Sequence, residues 1–316
     1  MRLLMVGTGP FGMPTLQGLY QSGHAVVALV TGPLEDPARS PGAATPLRDI
    51  AQAHHTPILD PEDINAPESQ ARLAACQADL LVVCDYGQIL SAETLATARL
   101  GGINLHASLL PKYRGAAPIA WAIYHGESQT GVSVIHMTPQ VDAGPVIAQA
   151  STPIGPDETA AELEPRLAQL GPEVMLDAIA ALEAGTARAL PQDPALASKA
   201  PRLKKSDGLI DWNRPATAIK NHVRAMEPWP KTYTFWRRSK GQPLRLILGR
   251  VEVVETSPAG AAPGTVLEAR GNHLVVAAAR GAIALQGLQP AGKRLLRTSE
   301  FLRGYHVQPG ERFGAE

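Results

Sequence analysis

Cysteine is scarce in this chain of 316 residues, and the two present, Cys76 and Cys84, make neither a disulfide framework nor a metal-ligand spacing. That excludes a disulfide-stapled scaffold and a cysteine-bound zinc site, and it fits thiols packed in a reduced, cytoplasmic interior. Long hydrophobic runs are missing too. No stretch approaches the roughly 18 apolar residues of a membrane span, so no membrane partner is expected. The opening Met1-Arg-Leu-Leu-Met-Val6 is cut short by Gly7 and Pro10, which is too short for a signal-peptide core and reads as a first strand. Net charge is also lacking, since 29 Lys+Arg balance 29 Asp+Glu.

That balance conceals a division. Residues 1–200 carry 10 Lys+Arg against 20 Asp+Glu; subtracting from the two totals of 29 leaves 19 against 9 in residues 201–316. An acidic half joined to a basic half favours a nucleic-acid partner for the second. The length exceeds one average domain and suggests two. The apolar fraction of 45% is ordinary for a globular chain, so each half can bury a core.

Short apolar runs at Arg2–Val6, Ala25–Val30, 57–59, 78–84 and 101–105 read as strands, alternating with a helix that starts near Pro14 and with helices near 46–54, 69–76 and 119–124. This is the pattern of an α/β, Rossmann-like domain. Gly131 to Met137 and Pro145 to Ala150 read as a hairpin pair, followed by a long helix over 158–184 that stops at Gly185. The Pro-interrupted segment 190–208 reads as a linker between a domain at 1–189 and one at 209–316. In the latter, Ile219, Val223 and Met226 make a helical stripe. Strand-like runs at 244–251, 264–269, 273–278 and 281–288 suggest a small β-barrel.

Two glycine-rich signals have to be separated. Gly7-Thr-Gly-Pro-Phe-Gly12 follows a strand and matches the dinucleotide fingerprint in form. Pro10 removes an N–H from the turn, Pro14 starts the helix late, and Thr31-Gly32-Pro33 stands where an acidic ribose ligand belongs, so nicotinamide binding is not expected. The second signal is Asn104-Leu-His-Ala-Ser-Leu-Leu-Pro-Lys-Tyr-Arg-Gly115. Asn104 and His106 share one face at the end of a strand, before a loop, which is where an α/β sheet places its chemistry. An asparagine amide can donate to an oxyanion, a histidine can shuttle a proton, and a carboxylate such as Asp142, 36 residues beyond His106 (142 − 106), can orient the imidazole. No activated Ser or Cys stands beside them. The trio therefore fits direct attack by a substrate nucleophile on a carbonyl, and acyl transfer is the reaction class. Taken alone, Asp142 before Ala143-Gly144 is more often only a turn cap than a catalytic group. His54-His55 reads as an exposed helix end, and no metal site is expected.

The stretch 104–118 resembles the signature of the folate-dependent formyltransferases, most closely those acting on methionyl-tRNA. Other segments agree in order and spacing: 6–14, Tyr86-Gly-Gln-Ile-Leu90, Thr130-Gly-Val-Ser133, Val141-Asp-Ala-Gly144, Asp207-Gly-Leu-Ile-Asp-Trp212, 224–230, Leu288-Gln-Pro-Ala-Gly-Lys293 and Phe301-Leu-Arg-Gly304. The resemblance implies a Rossmann-like formyltransferase domain and a C-terminal OB-type barrel that binds tRNA. The implied reaction passes the formyl group of 10-formyltetrahydrofolate to the α-amino group of initiator methionyl-tRNA, with no metal and no obligatory protein partner. It implies catalytic roles for Asn104, His106 and Asp142. It also implies a folate pocket built by Tyr86, Gly87 and Gln88, largely through backbone groups, and by Ser108, Leu109, Leu110 and Pro111. Arg237, Arg238, Lys240, Lys293, Arg294 and Arg297 are the expected phosphate contacts. A related enzyme acting on a sugar-nucleotide amine is the alternative reading, and a catalytically silent RNA-binding module is a further one. Two departures from the family pattern stand out. Asp85 occupies a position that is usually small, and the 31–46 loop, usually basic, has only Arg39 against Glu35 and Asp36.

Overall fold

The computed structural model describes residues 1–33, 46–238, 241–255 and 260–315. The acidic loop residues Glu35, Asp36 and Arg39, and the expected phosphate contact Lys240, lie outside the described residues. By internal contacts the chain forms two compact units. The first comprises residues 1–118, 129–153 and 163–201; the second comprises 119–128, 154–162 and 202–316.

The first unit is a seven-stranded sheet in the order β3-β2-β1-β4-β5-β6-β7. The strands are β1 (Arg2–Val6), β2 (Ala25–Val30), β3 (Ile58–Leu59), β4 (Leu80–Cys84), β5 (Gly102–His106), β6 (Gln129–His136) and β7 (Val146–Pro153). The first five pair in parallel; β6 and β7 add an antiparallel edge. β4 is buried at every residue and β1 at every residue but Arg2, as expected of central strands covered on both faces. β7 lies at the edge and no residue in it is fully buried.

Helices α1 (Met13–Gln21), α2 (Pro46–Ala53), α3 (Pro67–Ala75) and a short α4 (Ala92–Leu95) connect the parallel strands, and α6 (Ala160–Glu183) follows β7. A further helix, α5 (Pro118–Tyr124), lies between β5 and β6. The expected late helix start is seen: a 3-10 turn at Pro10–Gly12 precedes α1. Gly171 of α6 lies so close to β5 that a Cβ there would stand 2.6 Å from Leu105 Cδ2. Leu105 thus faces α6. Asn104 and His106, one residue to either side, face the opposite way. No helix among the described residues is long and apolar enough to cross a membrane.

Among the described residues the second unit contains α7 (Ala216–Ala225), nine strands and α8 (Thr298–Gly304). β8 (Tyr233–Arg237), β9 (Leu244–Leu248), β14 (Gly287–Pro290), β15 (Leu296–Arg297) and β16 (Arg312–Gly314) form one antiparallel sheet; β10 (Val251–Val254), β11 (Val266–Arg270), β12 (His273–Ala277) and β13 (Ala282–Leu285) form another. The runs expected as single strands at 244–251 and 281–288 are each bent. β9 passes to β10 at Gly249-Arg250, and β13 passes to β14 at Gln286, so both chains leave one sheet for the other. The bends face each other, with Gly249 N donating to Gly287 O at 2.9 Å and Gln286 N to Arg250 O at 3.0 Å. Strands that switch sheets at bends make the corners of orthogonally packed β-structure. Trp212, Trp236, Leu246, Leu274, Ile283, Phe301 and Phe313 are among the buried core residues. The Trp212 indole N–H is satisfied by Thr234 Oγ1 at 3.0 Å.

Candidate active site

In a parallel sheet the side chains at the carboxyl ends of neighbouring strands converge, and the order reverses between β1 and β4, a topological switch point. His106 and the loops that follow β4 and β5 lie at that edge, whereas Asp142 comes from the β6–β7 turn, which leaves the sheet beside the start of β5. β4 and β5 are in register with Val83 beside Asn104 and Cys84 beside Leu105, so the loop from Asp85 to Gln88 leaves the sheet next to His106.

His106 is buried, with 6% of its surface exposed. Its Nε2 lies 2.9 Å from the carbonyl of Tyr113. A carbonyl only accepts, so Nε2 carries the hydrogen, and Nδ1 is the nitrogen that faces Asp142 Oδ2 at 3.5 Å. This separation suits an ion pair and is long for a hydrogen bond. The same Oδ2 accepts from Gly115 N at 2.9 Å. Asn104 is half-buried on the same face of β5, and among the described residues its amide donates to nothing.

The geometry explains the spacing in Val-Asp-Ala-Gly. Asp142 adopts φ +48°, a left-handed conformation that Asp and Asn tolerate better than most residues. Two residues on, a Cβ at Gly144 would lie 1.7 Å from His136 O, so that position admits only glycine. Gly115 is bound similarly. Its φ is +126°, and a Cβ there would stand 2.5 Å from Ala200 O. Gly115→Ala is therefore expected to lose about 1–3 kcal/mol from backbone strain alone, with the clash adding to it, and to displace the N–H that holds Asp142. A lowered urea-denaturation midpoint together with reduced activity checks this; an unchanged midpoint refutes it.

The loop that follows His106 is tied to the hairpin β6–β7. Ser133 Oγ donates to Ser108 O at 2.6 Å and accepts from Leu110 N at 3.1 Å, while Gln149 Nε2 donates to Leu110 O at 2.9 Å and to Ser133 Oγ at 2.7 Å. The Ser108 hydroxyl donates inward to Lys112 O at 2.7 Å, so its side chain serves the loop. Leu109 and Pro111 are partly exposed and Leu110 is buried. On the other side, the Gln88 amide bonds Ile64 N at 2.9 Å and Glu62 O at 2.9 Å. Gln88 thus braces its loop, and Gly87 beside it is exposed. The Tyr86 hydroxyl is buried and has no hydrogen-bond partner among the described residues; burial, and secondarily Asp63, push its phenol up to about 12.

Asp85 clarifies the glycine turn. Its carboxylate lies over Gly9, where a Cβ would fall 1.7 Å from Oδ2, and it accounts for that glycine without any phosphate. The residue as a whole is exposed, but the carboxylate is shielded by this turn and is raised by loss of water. Glu164 of α6 is raised by its own burial and then by Asp85. A negative side chain over the turn opposes a dinucleotide pyrophosphate. His54 stacks on Tyr20 at 3.8 Å between ring centroids. Among the described residues no group of three or more His, Cys, Asp or Glu could hold a metal ion.

In the second unit, Arg250, Arg294 and Arg297 line a hollow of about 610 Å³ together with Gln286, Leu295 and Glu300. Arg294 pairs with Glu300 at 2.9 Å and Arg250 with Glu162 at 2.6 Å. The exposed Arg237 and Arg238 guanidiniums reach the carbonyls of Ala315 and Gln242.

Sequence reasoning missed Arg114 and Gln192 as parts of the site. Gln192 Nε2 donates to Asp142 O at 2.8 Å and to Gly144 O at 2.7 Å. Its Oε1 accepts from Arg114 Nε at 3.0 Å and Nη2 at 2.8 Å. No local signal marks a glutamine in a Pro-rich stretch 50 residues from its partner carbonyl.

Comparison with known proteins identifies the family. The family model described as formyl transferase matches residues 1–179, and that described as formyl transferase, C-terminal domain, matches residues 202–306. A methionyl-tRNA formyltransferase of Rhodopirellula baltica is 42% identical over 326 residues, covering 98% of this chain and 96% of that protein. One of Citrifermentans bemidjiense is 41% identical over 317 residues, covering 99% and 96%. Among solved structures, an N-formyltransferase from Helicobacter canadensis in complex with folinic acid and dTDP-3-aminofucose superposes with a TM-score of 0.67. It is 15% identical, and the match covers 92% of this chain and 99% of that one. At that identity the likeness speaks for the fold. The two family matches and the near-full-length relatives speak for descent, and this chain belongs to the formyl transferase family.

Proposed function

We propose that the protein transfers the formyl group of 10-formyltetrahydrofolate to the α-amino group of initiator methionyl-tRNA in the cytoplasm, giving N-formylmethionyl-tRNA. The observation that carries this reading is the site at the end of β5: a half-buried amide at Asn104, and a buried imidazole at His106 with the Asp142 carboxylate 3.5 Å from Nδ1. The relatives that match along nearly their whole length bear the name of this activity.

The neutral α-amine attacks the formyl carbon. A new C–N bond forms and the carbonyl oxygen becomes an oxyanion, to which the Asn104 amide donates. As the bond from the formyl carbon to the folate nitrogen breaks, the proton released by the amine passes to that leaving nitrogen. His106 is the carrier. With Nε2–H held by Tyr113, Nδ1 is the ring nitrogen left to accept the proton, and Asp142 stabilises the cation so formed. A free α-amine titrates near about 7.7–8.0, and esterification of its carboxyl lowers that, so the nucleophile is available at neutral pH. Tyr86, Gly87 and Gln88 on one side, and Ser108 to Pro111 on the other, form the folate walls. Folinic acid, a formylated tetrahydrofolate, occupies the neighbouring solved enzyme.

The basic second unit is the tRNA-binding element, and the arginine-lined hollow is part of its phosphate-binding surface. A sugar-nucleotide amine is the second reading, because that same neighbour holds dTDP-3-aminofucose. The relatives of 42% and 41% identity weigh against it. Assaying the full chain with 10-formyltetrahydrofolate against charged initiator tRNA and against a sugar-nucleotide amine decides between them. The expected result is formylation of the tRNA alone, with tRNA affinity falling steeply as salt rises. Formylation of the sugar amine, or of neither acceptor, overturns the proposal.

A further inference from the structure

The segment 190–200 reads in sequence as a spacer, yet it lies along the loops that carry the site. Leu190 exchanges two backbone hydrogen bonds with Val146, each 2.8 Å. Ser198 O accepts from Arg114 N at 2.8 Å and Ser198 Oγ from Tyr113 N at 2.9 Å. Ala200 N donates to Arg114 O at 2.7 Å, and Ala200 O accepts from Ala117 N at 3.1 Å. Tyr113 in turn supplies the carbonyl that binds His106 Nε2. Near the start of this strap stands Gln192.

A glutamine amide offers two donors and an oxygen with two lone pairs. All four are used here, two on each of the site's two loops, with no freedom to flip. The oxygen must face the Arg114 guanidinium, which only donates. The nitrogen must face the carbonyls of Asp142 and Gly144, which only accept. The residue so held, Asp142, is in the left-handed region, where an unsupported non-glycine residue is strained. Its Oδ2 must meet Gly115 N and His106 Nδ1 together. The next residue but one, Gly144, is pressed against His136 O. The backbone at 142–144 therefore holds this conformation only with a partner for its two carbonyls, and the partner is a side chain from the strap.

We infer that Gln192 is a positioning residue for catalysis: by clamping the carbonyls of Asp142 and Gly144 to Arg114, it sets the Asp142 carboxylate against His106. The inference rests on the formyl-transfer reading for its kinetic test and on geometry alone for a second measurement. In Gln192→Ala, kcat for formyl transfer is expected to fall by about 10- to 100-fold, the usual effect of removing a group that orients a catalytic side chain, with KM for the folate unchanged within about twofold. Gln192→Glu keeps an acceptor for Arg114 but turns an oxygen toward the two carbonyls, so it is expected to match the alanine variant. The Gln192→Ala/Asp142→Asn double variant is expected to be no slower than Asp142→Asn alone, since both changes remove one function.

The second measurement needs no turnover. The ring ¹⁵N resonances of His106 in Gln192→Ala are expected to move in the same direction as in Asp142→Asn. A full kcat in both single variants, losses that multiply in the double variant, or unmoved His106 resonances overturns the inference. A wild-type chain that formylates nothing, with His106 resonances that still respond to Gln192→Ala, overturns the functional reading and leaves the positioning role standing. Should the alanine variant fail to fold, the glutamate variant carries both measurements.

Discussion

Asn104→Ala lowers kcat for formyl transfer by about 10²–10³-fold, equivalent to about 2.7–4 kcal/mol of transition-state stabilisation, while KM for the folate changes little. The size of the effect follows from where the amide sits. Asn104 is the middle residue of a strand held on both sides, by Val83 of β4 and Ile135 of β6, so its backbone cannot drift. Among the described residues its side chain has no hydrogen-bond partner to lose. Truncation therefore removes a donor aimed at solvent or substrate and disturbs little else. Steady-state kinetics on both substrates measure it, and an unchanged kcat takes Asn104 out of the mechanism.

Asp142→Asn is expected to cost about 10²-fold or more in kcat while the protein unfolds at nearly the same denaturant concentration. The substitution is nearly isosteric. One amide oxygen can still accept from Gly115 N–H, so the loop keeps its 2.9 Å anchor. What disappears is the negative charge 3.5 Å from His106 Nδ1, the nitrogen that takes the proton in transit. With a neutral neighbour the imidazolium loses its counter-charge in a site where His106 is 6% exposed and water does little to replace it. Activity within a factor of two of wild type reduces Asp142 to a turn residue. A large fall in stability instead makes its role structural.

The parallel sheet is legible in the chain because burial on both faces demands uninterrupted apolar strands. Leu80–Cys84 shows nothing else at five successive positions. Asn104 and His106 are legible for the complementary reason: two polar residues with Leu105 between them, at the point where an apolar run ends. The second unit is less so. Tyr233–Arg237 mixes inward and outward residues and passes unnoticed as a strand. The bends at Gly249 and Gln286 depend on one strand's closeness to the other across 37 residues (286 − 249), which no local pattern encodes. Nor does any periodicity show that residues 119–128 and 154–162 cluster with 202–316.

The residue types and their local order thus establish the α/β sheet, the strand-end pair Asn104 and His106, the opposite charges of the two halves and, through its string of motifs, the family. Their physical basis is short-range: side-chain alternation, proline and glycine stereochemistry, and composition. The arrangement that makes chemistry possible is long-range. Asp142 reaches His106 only because β6 and β7 fold back beside β5, and it is held there by Gly115 and by Gln192 from a distant strap. Hydrogen bonds between loops carry no signature in the residues that make them, since an amide or a carbonyl is available at almost every position; packing alone selects which of them meet.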